Sequence, residues 1–381
     1  MLEKLKKNLK PDSKLLKQPR KRPVWDGPES DTSNGGITFS LLSRFLTCRE
    51  RFRCLVVEGL KPADTFNHRL EFGNMWHVCE EALALANDSK ESLGETANRW
   101  TARLTVHARD LAQRYPFQRE QIDHWYRVCL ALFPLYVEHW SKHPDVTERT
   151  PLLQEQVFSV PYSLPSGRTV ILRGKWDSVN LIGTGKEDGI FIQENKTKSQ
   201  IDERKIVRQL RYDLQTLMYL IALKRWVELG ETHLAKGTQL APINGVRYNV
   251  VRRSAHKTPE SMLKKVHEDA GNGRIGEWFA RWKVEITPQD VETFKRECLD
   301  PILENSCWWW DVVNYTGNTP RKHEANLFHR YGIPPLTWRY PNGVWNPTLE
   351  GAESELDHYL ENGSEAGLQR VENLFPELTE G

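Results

Sequence analysis

The amino-acid sequence predicts an α/β protein in which helices flank a central mixed sheet, with a helical region before the sheet and a mixed extension after it. Apolar residues recur at helical spacing over much of residues 38–141. From residue 152 onward, β-rich runs alternate with turns rich in proline and glycine, and a long helical stretch then leads to another β-rich run. This succession of periodicities is typical of a sheet covered by helices.

Four amphipathic stretches predict the helical region, and they cover residues 38–55, 67–86, 95–114 and 118–141. We expect Ser40 to cap the first helix, because its hydroxyl can accept a hydrogen bond from a backbone N–H of the first turn. Arg44 and Arg49 make the outer surface of this helix basic. Such a surface suits a helix beside a polyanion and equally suits a solvated face.

The predicted sheet begins with three β-rich runs, residues 153–160, 169–181 and 189–196, which indicate an antiparallel meander. The elements expected after them are a helix over 202–229, a strand over 245–253 that closes the sheet, a short strand over 283–286 and a helix over 288–304 with Thr287 as its N-cap.

The second and third β-rich runs together carry two carboxylates and a lysine that are candidate site residues. Strand alternation places Glu194 and Lys196 on one face, which taken alone would be explained by a surface ion pair. Asp177 lies near the end of the preceding run, so a hairpin would bring it beside Glu194. Adjacent carboxylates repel each other, and a hard divalent cation such as Mg²⁺ is a suitable counterion. Lys196 would then face the attacking water and the scissile phosphate, where it could help to deprotonate the water or stabilise the transition state.

Two predicted helices add further candidate residues. The helix over 202–229 carries a polar and aromatic stripe that either faces a ligand or forms the wet flank of a packed helix; its members are Arg208, Tyr212, Gln215 and Tyr219. On an earlier helix, His77 and Glu81 are four residues apart and therefore share a face. A histidine in this setting is either a hydrogen-bonded structural group or a metal ligand.

In this order, the candidate residues resemble the motifs of a known family. His77, Gly174-x-x-Asp177, Glu194-x-Lys196 and Gln215-x-x-x-Tyr219 resemble the PD-(D/E)XK nuclease superfamily, in particular its RecB-like branch, which includes CRISPR-associated exonucleases. The resemblance covers residues 38–255. It implies a restriction-endonuclease-like core.

The resemblance also implies a role for each residue. Asp177, Glu194 and the backbone carbonyl of Asn195 would bind Mg²⁺ or Mn²⁺, and His77 would complete the metal site. Lys196 would be the catalytic lysine, with Gln215 and Tyr219 as supporting groups. The expected activity is hydrolysis of DNA, with exonuclease action in DNA repair, recombination or phage DNA metabolism as the first choice.

Two other classes of function stay open at this stage. The chain could be a catalytically idle nucleic-acid-binding or anti-defence protein on a nuclease fold, although the intact Asp177, Glu194 and Lys196 argue against this. It could also be the nuclease subunit of a helicase or recombination complex. The sequence contains no GxxxxGK[ST] phosphate loop, so a helicase motor would come from another chain.

Cysteine content argues against an iron-sulfur cluster. Such clusters are normally held by four thiolates, and some RecB-like nucleases have one cysteine before the core and three after it. Cys48 could match the first position, but only Cys298 and Cys307 follow residue 219. We expect no cluster, and we expect aromatic residues such as those of Trp308-Trp-Trp310 to supply the packing instead.

Charge is distributed unevenly along the chain. Residues 1–23 carry nine Lys and Arg against two acidic residues, and residues 350–381 carry nine acidic groups against one arginine. The basic end is either a phosphate-seeking arm or a solvated tail. Arg252 and Arg253, at the end of a predicted strand, either face a nucleic-acid backbone together with Arg247 or form a solvated rim.

No membrane segment or signal peptide is recognisable, which predicts a cytoplasmic protein of a bacterium or of a phage-infected cell with no membrane partner. The expected organisation comprises a basic tail (1–36), a helical region (37–150), a nuclease core (151–255), a mixed extension (256–349) and an acidic tail (350–381).

Overall fold

The structure, a computed structural model, describes the larger part of the chain. The described ranges are 23–47, 49–62, 66–89, 93–141, 149–183, 189–199, 201, 213–230, 242–253, 258–316, 368–370 and 373–379. The chain divides into two compact units. The first comprises residues 1–64, 159–174 and 295–381, and the second comprises residues 65–158 and 175–294.

A five-stranded mixed sheet with the order β2-β3-β4-β5-β6 confirms the predicted α/β class. Its strands are β2 (Arg149–Ser163), β3 (Thr169–Ile182), β4 (Gly189–Lys198), β5 (Ile243–Arg252) and β6 (Phe279–Glu285). The β3 and β4 strands are antiparallel, β4 and β5 are parallel, and β5 and β6 are antiparallel. The expectation that residues 245–253 close the sheet is wrong, because β6 pairs with the far side of that strand.

The β4 strand lies in the middle of the sheet, and its residues 189–195 are all buried. The apolar run Ile190-Phe191-Ile192 explains this position, because a strand covered on both faces needs consecutive apolar side chains. Its partner β5 contains Gly245, with φ of 156°. A Cβ atom at Gly245 would lie 2.1 Å from the carbonyl oxygen of Val284 on β6, so only glycine allows the two strands to pair this closely.

Three long helices build the core of the second unit. They are α3 (His68–Ser89), α4 (Leu93–Arg114) and α5 (Arg119–Ser141), and all three agree with the predicted stretches to within a few residues. Their apolar faces pack together with Val251, Trp278 and Phe279 around β5 and β6. The unit also contains α6 (Leu214–Glu228), α7 (Pro259–Gly271) and α8 (Pro288–Phe294), and Thr287 caps α8 as predicted through its hydroxyl and the Asp290 N–H, 3.1 Å apart.

The helix expected over 202–229 begins instead at Leu214. Asp213 precedes it with extended backbone angles, and its carboxylate accepts hydrogen bonds from the N–H and hydroxyl of Thr216 at 3.0 and 2.9 Å. An N-cap of this kind marks the start of a helix. Arg208 and Tyr212 lie outside the described residues.

The first unit is held by an aromatic cluster. The elements of this unit are α1 (Phe39–Thr47), α2 (Arg49–Phe52), β1 (Leu60–Pro62), α9 (Asp300–Thr316), β7 (Leu368–Arg370) and α10 (Pro376–Thr379). The rings of Phe45 and Phe52 lie 5.7 and 5.5 Å from that of Trp309, and Trp25 lies 4.9 Å from Trp310. Aromatic packing by the tryptophan run is thus present, whereas Cys48 lies outside the described residues.

Two smaller features complete the fold. The hydroxyl of Thr38, not that of Ser40, accepts a hydrogen bond from the first turn of α1, at 3.2 Å from the Leu41 N–H, because the helix begins two residues earlier than a cap at Ser40 would require. Among the described residues, no helix combines the length and the hydropathy that crossing a membrane requires.

Candidate active site

The two candidate carboxylates meet where β3 and β4 stop pairing as a regular ladder. Register between the strands runs from Ile182 opposite Gly189 to Ser178 opposite Gln193. Asp177 is the next residue on β3, which brings it beside Glu194. Its carboxylate accepts a hydrogen bond from the backbone N–H of Asn195 at 2.9 Å. The predicted juxtaposition of Asp177 and Glu194 therefore exists in the structure.

Glu194, Lys196 and Gln215 form a closed network beside Asp177. The ammonium of Lys196 lies 2.8 Å from a carboxylate oxygen of Glu194 and donates to the side-chain oxygen of Gln215 at 2.9 Å. The amide nitrogen of Gln215 lies 3.3 and 3.5 Å from the two carboxylate oxygens of Glu194. One turn later on α6, Tyr219 is buried, packs its ring against Phe158 and hydrogen-bonds Gln215.

Burial sets the electrostatics of this network. Glu194 is only 2% exposed, and this burial raises its pKa above the ordinary value, although the nearby Lys196 charge acts in the opposite direction. Burial disfavours the charged form of Lys196 as well, but the Glu194 carboxylate outweighs that effect and raises the pKa of Lys196. The lysine is consequently held as a cation, the form that stabilises negative charge.

His77 reaches this site from α3. Its Nδ1 atom lies 3.7 Å from a carboxylate oxygen of Asp177. Glu81, which shares the same face of the helix, lies 2.9 Å from a guanidinium nitrogen of Arg103 and does not form an ion pair with His77. His77 thus lies beside Asp177, whereas Glu81, four residues later on the same helix, pairs with Arg103.

Two further charged residues flank Asp177 and were not singled out from the sequence. The ammonium of Lys175 lies 2.6 Å from a carboxylate oxygen of Glu155 on β2. Burial, followed by the charge of Asp177, raises the pKa of Glu155. Its backbone φ is 46°, in the left-handed region that non-glycine residues rarely adopt. The sequence signal was the polar run Gln154-Glu155-Gln156 within an otherwise apolar strand.

Behind the face of β4 that carries Glu194 and Lys196, a buried polar layer supports this strand. The side-chain amide of Asn249 lies 2.9 Å from that of Asn195, 3.0 Å from the Glu80 carboxylate and 2.7 Å from the Tyr136 hydroxyl. A cavity of about 200 Å³ opens next to this layer, and its lining includes Glu80, Tyr136, Asn195 and Asp177. Paired polar groups of this kind hold a strand in a single position, because a lost partner would leave a buried group unsatisfied.

The donor set fits a hard divalent cation that needs few protein ligands. Asp177 and Glu194 offer two adjacent carboxylates, and Mg²⁺ commonly takes one or two carboxylates and completes its shell with water and substrate phosphate. Within the described ranges, no group of three or more His, Cys, Asp or Glu side chains is arranged to hold a metal. His77 and the carbonyl of Asn195 stay predicted ligands.

The predicted nucleic-acid-binding arginines lie in different environments. Arg44 is exposed on α1. Arg49 is 7% exposed, with its guanidinium over the ring of Phe45, so its expected place on an outer surface is wrong. Arg252 stacks over Trp278 and lies 3.6 Å from Glu277, whereas Arg253 has no carboxylate partner among the described residues.

Arg247 does not belong to a basic rim. Its side chain is fully buried and donates a hydrogen bond to the side-chain oxygen of Gln193. The expectation that it faces nucleic acid is wrong, because strand alternation places it on the face of the sheet that the polar layer occupies.

Comparisons with known proteins agree with this geometry. A family model of the PD-(D/E)XK nuclease superfamily matches residues 37–300, which is more than half of the chain. A comparison with curated proteins gave no match. The match spans β2 to β6 together with the helices that carry His77, Gln215 and Tyr219. The mixed sheet flanked by helices is accordingly the restriction-endonuclease-like α/β core, and the chain belongs to the PD-(D/E)XK nuclease superfamily.

Proposed function

We propose that this protein is a divalent-metal-dependent deoxyribonuclease that degrades DNA from its ends. One observation carries the proposal: a buried Glu194, a cationic Lys196 and a bridging Gln215 form one network beside Asp177. Superfamily membership supports nuclease chemistry. The preference for ends and for DNA comes from the resemblance to the RecB-like branch and is an analogy.

Each residue has a defined task in this proposal. Hydrolysis forms a bond from a water oxygen to phosphorus and breaks the bond from phosphorus to the leaving oxygen, which takes up a proton. Asp177 and Glu194 would hold Mg²⁺ or Mn²⁺, which when bound supplies Lewis-acid activation of the phosphate and of water. Lys196 places its positive charge where negative charge develops on the phosphate oxygens. Gln215 and Tyr219 orient Lys196, and His77 and the backbone carbonyl of Asn195 would complete the metal site.

The proposal is tested with purified protein on two DNA substrates, an end-labelled linear duplex and a closed circular duplex, each with Mg²⁺, Mn²⁺ or EDTA. We expect loss of label from linear DNA with either metal, intact circles, and no reaction in EDTA. Cleavage of the circles would show an endonuclease. Intact linear DNA under all conditions would contradict nuclease activity and favour the idle DNA-binding alternative.

The biological setting is proposed on the same basis. Exonuclease action would place the protein in DNA repair, recombination or phage DNA metabolism, in the cytoplasm, with or without a helicase partner. The same assay with an RNA substrate tests the preference for DNA, and a preference for RNA would contradict this part of the proposal.

A further inference from the structure

Three basic residues meet where β4 and β5 end. The backbone N–H of Arg253 donates to the carbonyl oxygen of Lys198 at 2.7 Å, and its guanidinium lies 3.5 Å from the carbonyl oxygen of Arg69 on α3. Among the described residues, none of the three side chains has a carboxylate partner. We call Arg69, Lys198 and Arg253 the basic cluster.

The position of the basic cluster is electrostatically unfavourable for the isolated protein. Burial, followed by the charge of Arg69, lowers the pKa of Arg253, which shows that the two guanidinium groups disfavour each other. Arg69 also lies in the first turn of α3, where the helix dipole disfavours a positive charge. Neighbouring Arg252 differs, because Glu277 and Trp278 compensate its charge. A polyanion that binds at this place would relieve the repulsion.

One face of α3 connects the basic cluster to the candidate active site. Arg69, Gly73 and His77 follow one another at intervals of four residues and so share a face. His77 faces Asp177, and Arg69 belongs to the basic cluster. Eight residues of helix correspond to about 12 Å. On the opposite side, strand alternation places Lys198 on the same face of β4 as Glu194 and Lys196.

Gly73 lies between Arg69 and His77 on this face of α3. A Cβ atom at Gly73 would lie 3.6 Å from the hydroxyl oxygen of Thr197 on β4, and among the described residues outside the helix no other atom would be within 4 Å. That distance is ordinary van der Waals contact, so packing does not require a glycine. The distance leaves room for a methyl group and no more, so α3 and β4 pack closely at this point.

We infer that DNA held in the candidate active site extends to the basic cluster and that Arg69, Lys198 and Arg253 bind its phosphates. This inference rests on the proposed function for the identity of the substrate as DNA. The distance of about 12 Å along α3, from His77 to Arg69, corresponds to three or four phosphates of a B-form strand, which has about one phosphate per 3.4 Å. The basic cluster would therefore contact DNA a few nucleotides from the scissile phosphate.

The test measures DNA binding without cleavage, in full-length protein carrying Lys196→Ala, with Mg²⁺ and a fluorescent duplex at several salt concentrations. We expect Arg69→Ala and Arg253→Ala each to weaken binding for every DNA sequence and to reduce the slope of log K against log[salt] by about 1. The matched control is Lys264→Ala, which removes an exposed cation from α7. It should leave the slope unchanged.

A second control lies on α3 itself. Gly73→Ala, which changes this helix without removing a charge, should fold at least as stably and keep the wild-type salt slope, because its methyl group has room. Unchanged salt slopes in both arginine variants, or no DNA binding by the Lys196→Ala background, would overturn the inference. Failure of the wild-type protein to cleave DNA, with reduced slopes in the variants, would contradict only the proposed nuclease function.

Discussion

Gln215 determines how the two charged side chains of the candidate site can act. Its amide contacts Lys196 with one end and Glu194 with the other, so the ion pair cannot rotate away from Asp177 without breaking both contacts. Buried charges are tolerated when they are paired and hydrogen-bonded. The arrangement therefore holds Lys196 in place before substrate arrives.

Removal of the lysine ammonium should abolish most of the proposed activity. Lys196→Ala is expected to fold and to bind metal, yet to lose at least about 10²-fold in kcat, the size of effect seen when a positioned catalytic group is removed. The measurement is single-turnover cleavage of end-labelled DNA, with Lys264→Ala as a control for loss of one positive charge. Near-normal cleavage by Lys196→Ala would show that Glu194 and Lys196 form an ordinary ion pair with no catalytic role.

Metal affinity should depend on pH through Glu194. Because burial raises the pKa of this carboxyl, a larger fraction is protonated at low pH than for an exposed glutamate. A metal ligand must be deprotonated, so affinity falls as pH decreases through that raised pKa. Calorimetric titration with Mn²⁺ at several pH values should show this trend. Glu194→Gln should bind weakly at every pH, and a pH-independent wild-type affinity would contradict the role of Glu194.

At the scale of elements, the start of α6 aligns the network. Asp213 is the N-cap of α6, and its carboxylate accepts a hydrogen bond from the N–H of Thr216. The hydroxyl of Thr216 also contacts the hydroxyl of Tyr248 on β5. The positions of Gln215 and Tyr219 therefore depend on the start of α6, which is fixed by its own N-cap and by a contact with the sheet. Of the stripe expected on this helix, Gln215 and Tyr219 lie on α6, whereas Arg208 and Tyr212 lie outside the described residues.

Loss of that cap should weaken the protein. Asp213→Ala is expected to lower the free energy of unfolding by about 1 kcal/mol, within the roughly 0.5–2 kcal/mol typical for N-cap removal. Asp213→Asn should retain most of the stability, because asparagine is an equally good N-cap. Urea unfolding of the three proteins provides the comparison. Equal loss in both variants would show that the charge, and not the cap, is what matters.

At the scale of the whole molecule, stability in acid should depend on a buried carboxylate far along the chain from the candidate catalytic residues. Asp269 is 1% exposed and accepts hydrogen bonds from Lys265, Trp278 and Arg274 at 2.9, 3.0 and 2.6 Å. These donors, Lys265 foremost, lower its pKa to about 2. The same contacts tie α7 to the chain that enters β6.

The sign of the effect follows from the two pKa values. The unfolded aspartate has a pKa of about 3.9, so its stabilising contribution is complete above that pH and is lost as pH falls towards about 2. Asp269→Asn should therefore be less stable than wild type at pH 7, and the difference should shrink between about pH 4 and pH 2. Glu268→Gln, an exposed neighbour, is the control for urea unfolding. A constant difference across this range would contradict the assignment.

Local patterns determined much of the site. Alternation along β4 was enough to place Glu194 and Lys196 together, since side-chain direction in a strand depends only on position parity. The order of Asp177, Glu194 and Gln215 along the chain also indicated the superfamily. Helix periodicity identified α3 and the face that carries His77, because that face is set by a repeat of 3.6 residues.

Tertiary structure decided what depends on contacts between distant segments. Sequence alone could not show that β6 pairs with β5, that Arg49 and Arg247 are buried, or that Glu155 lies beside Asp177. These features depend on which elements pair and pack together. The basic cluster likewise could not be inferred from the sequence, because Arg69 and Arg253 lie far apart in the chain. The sequence by itself determined which side chains β4 and α3 carry on one face, and only the packing of α3 against β4 decided which distant charges lie beside them.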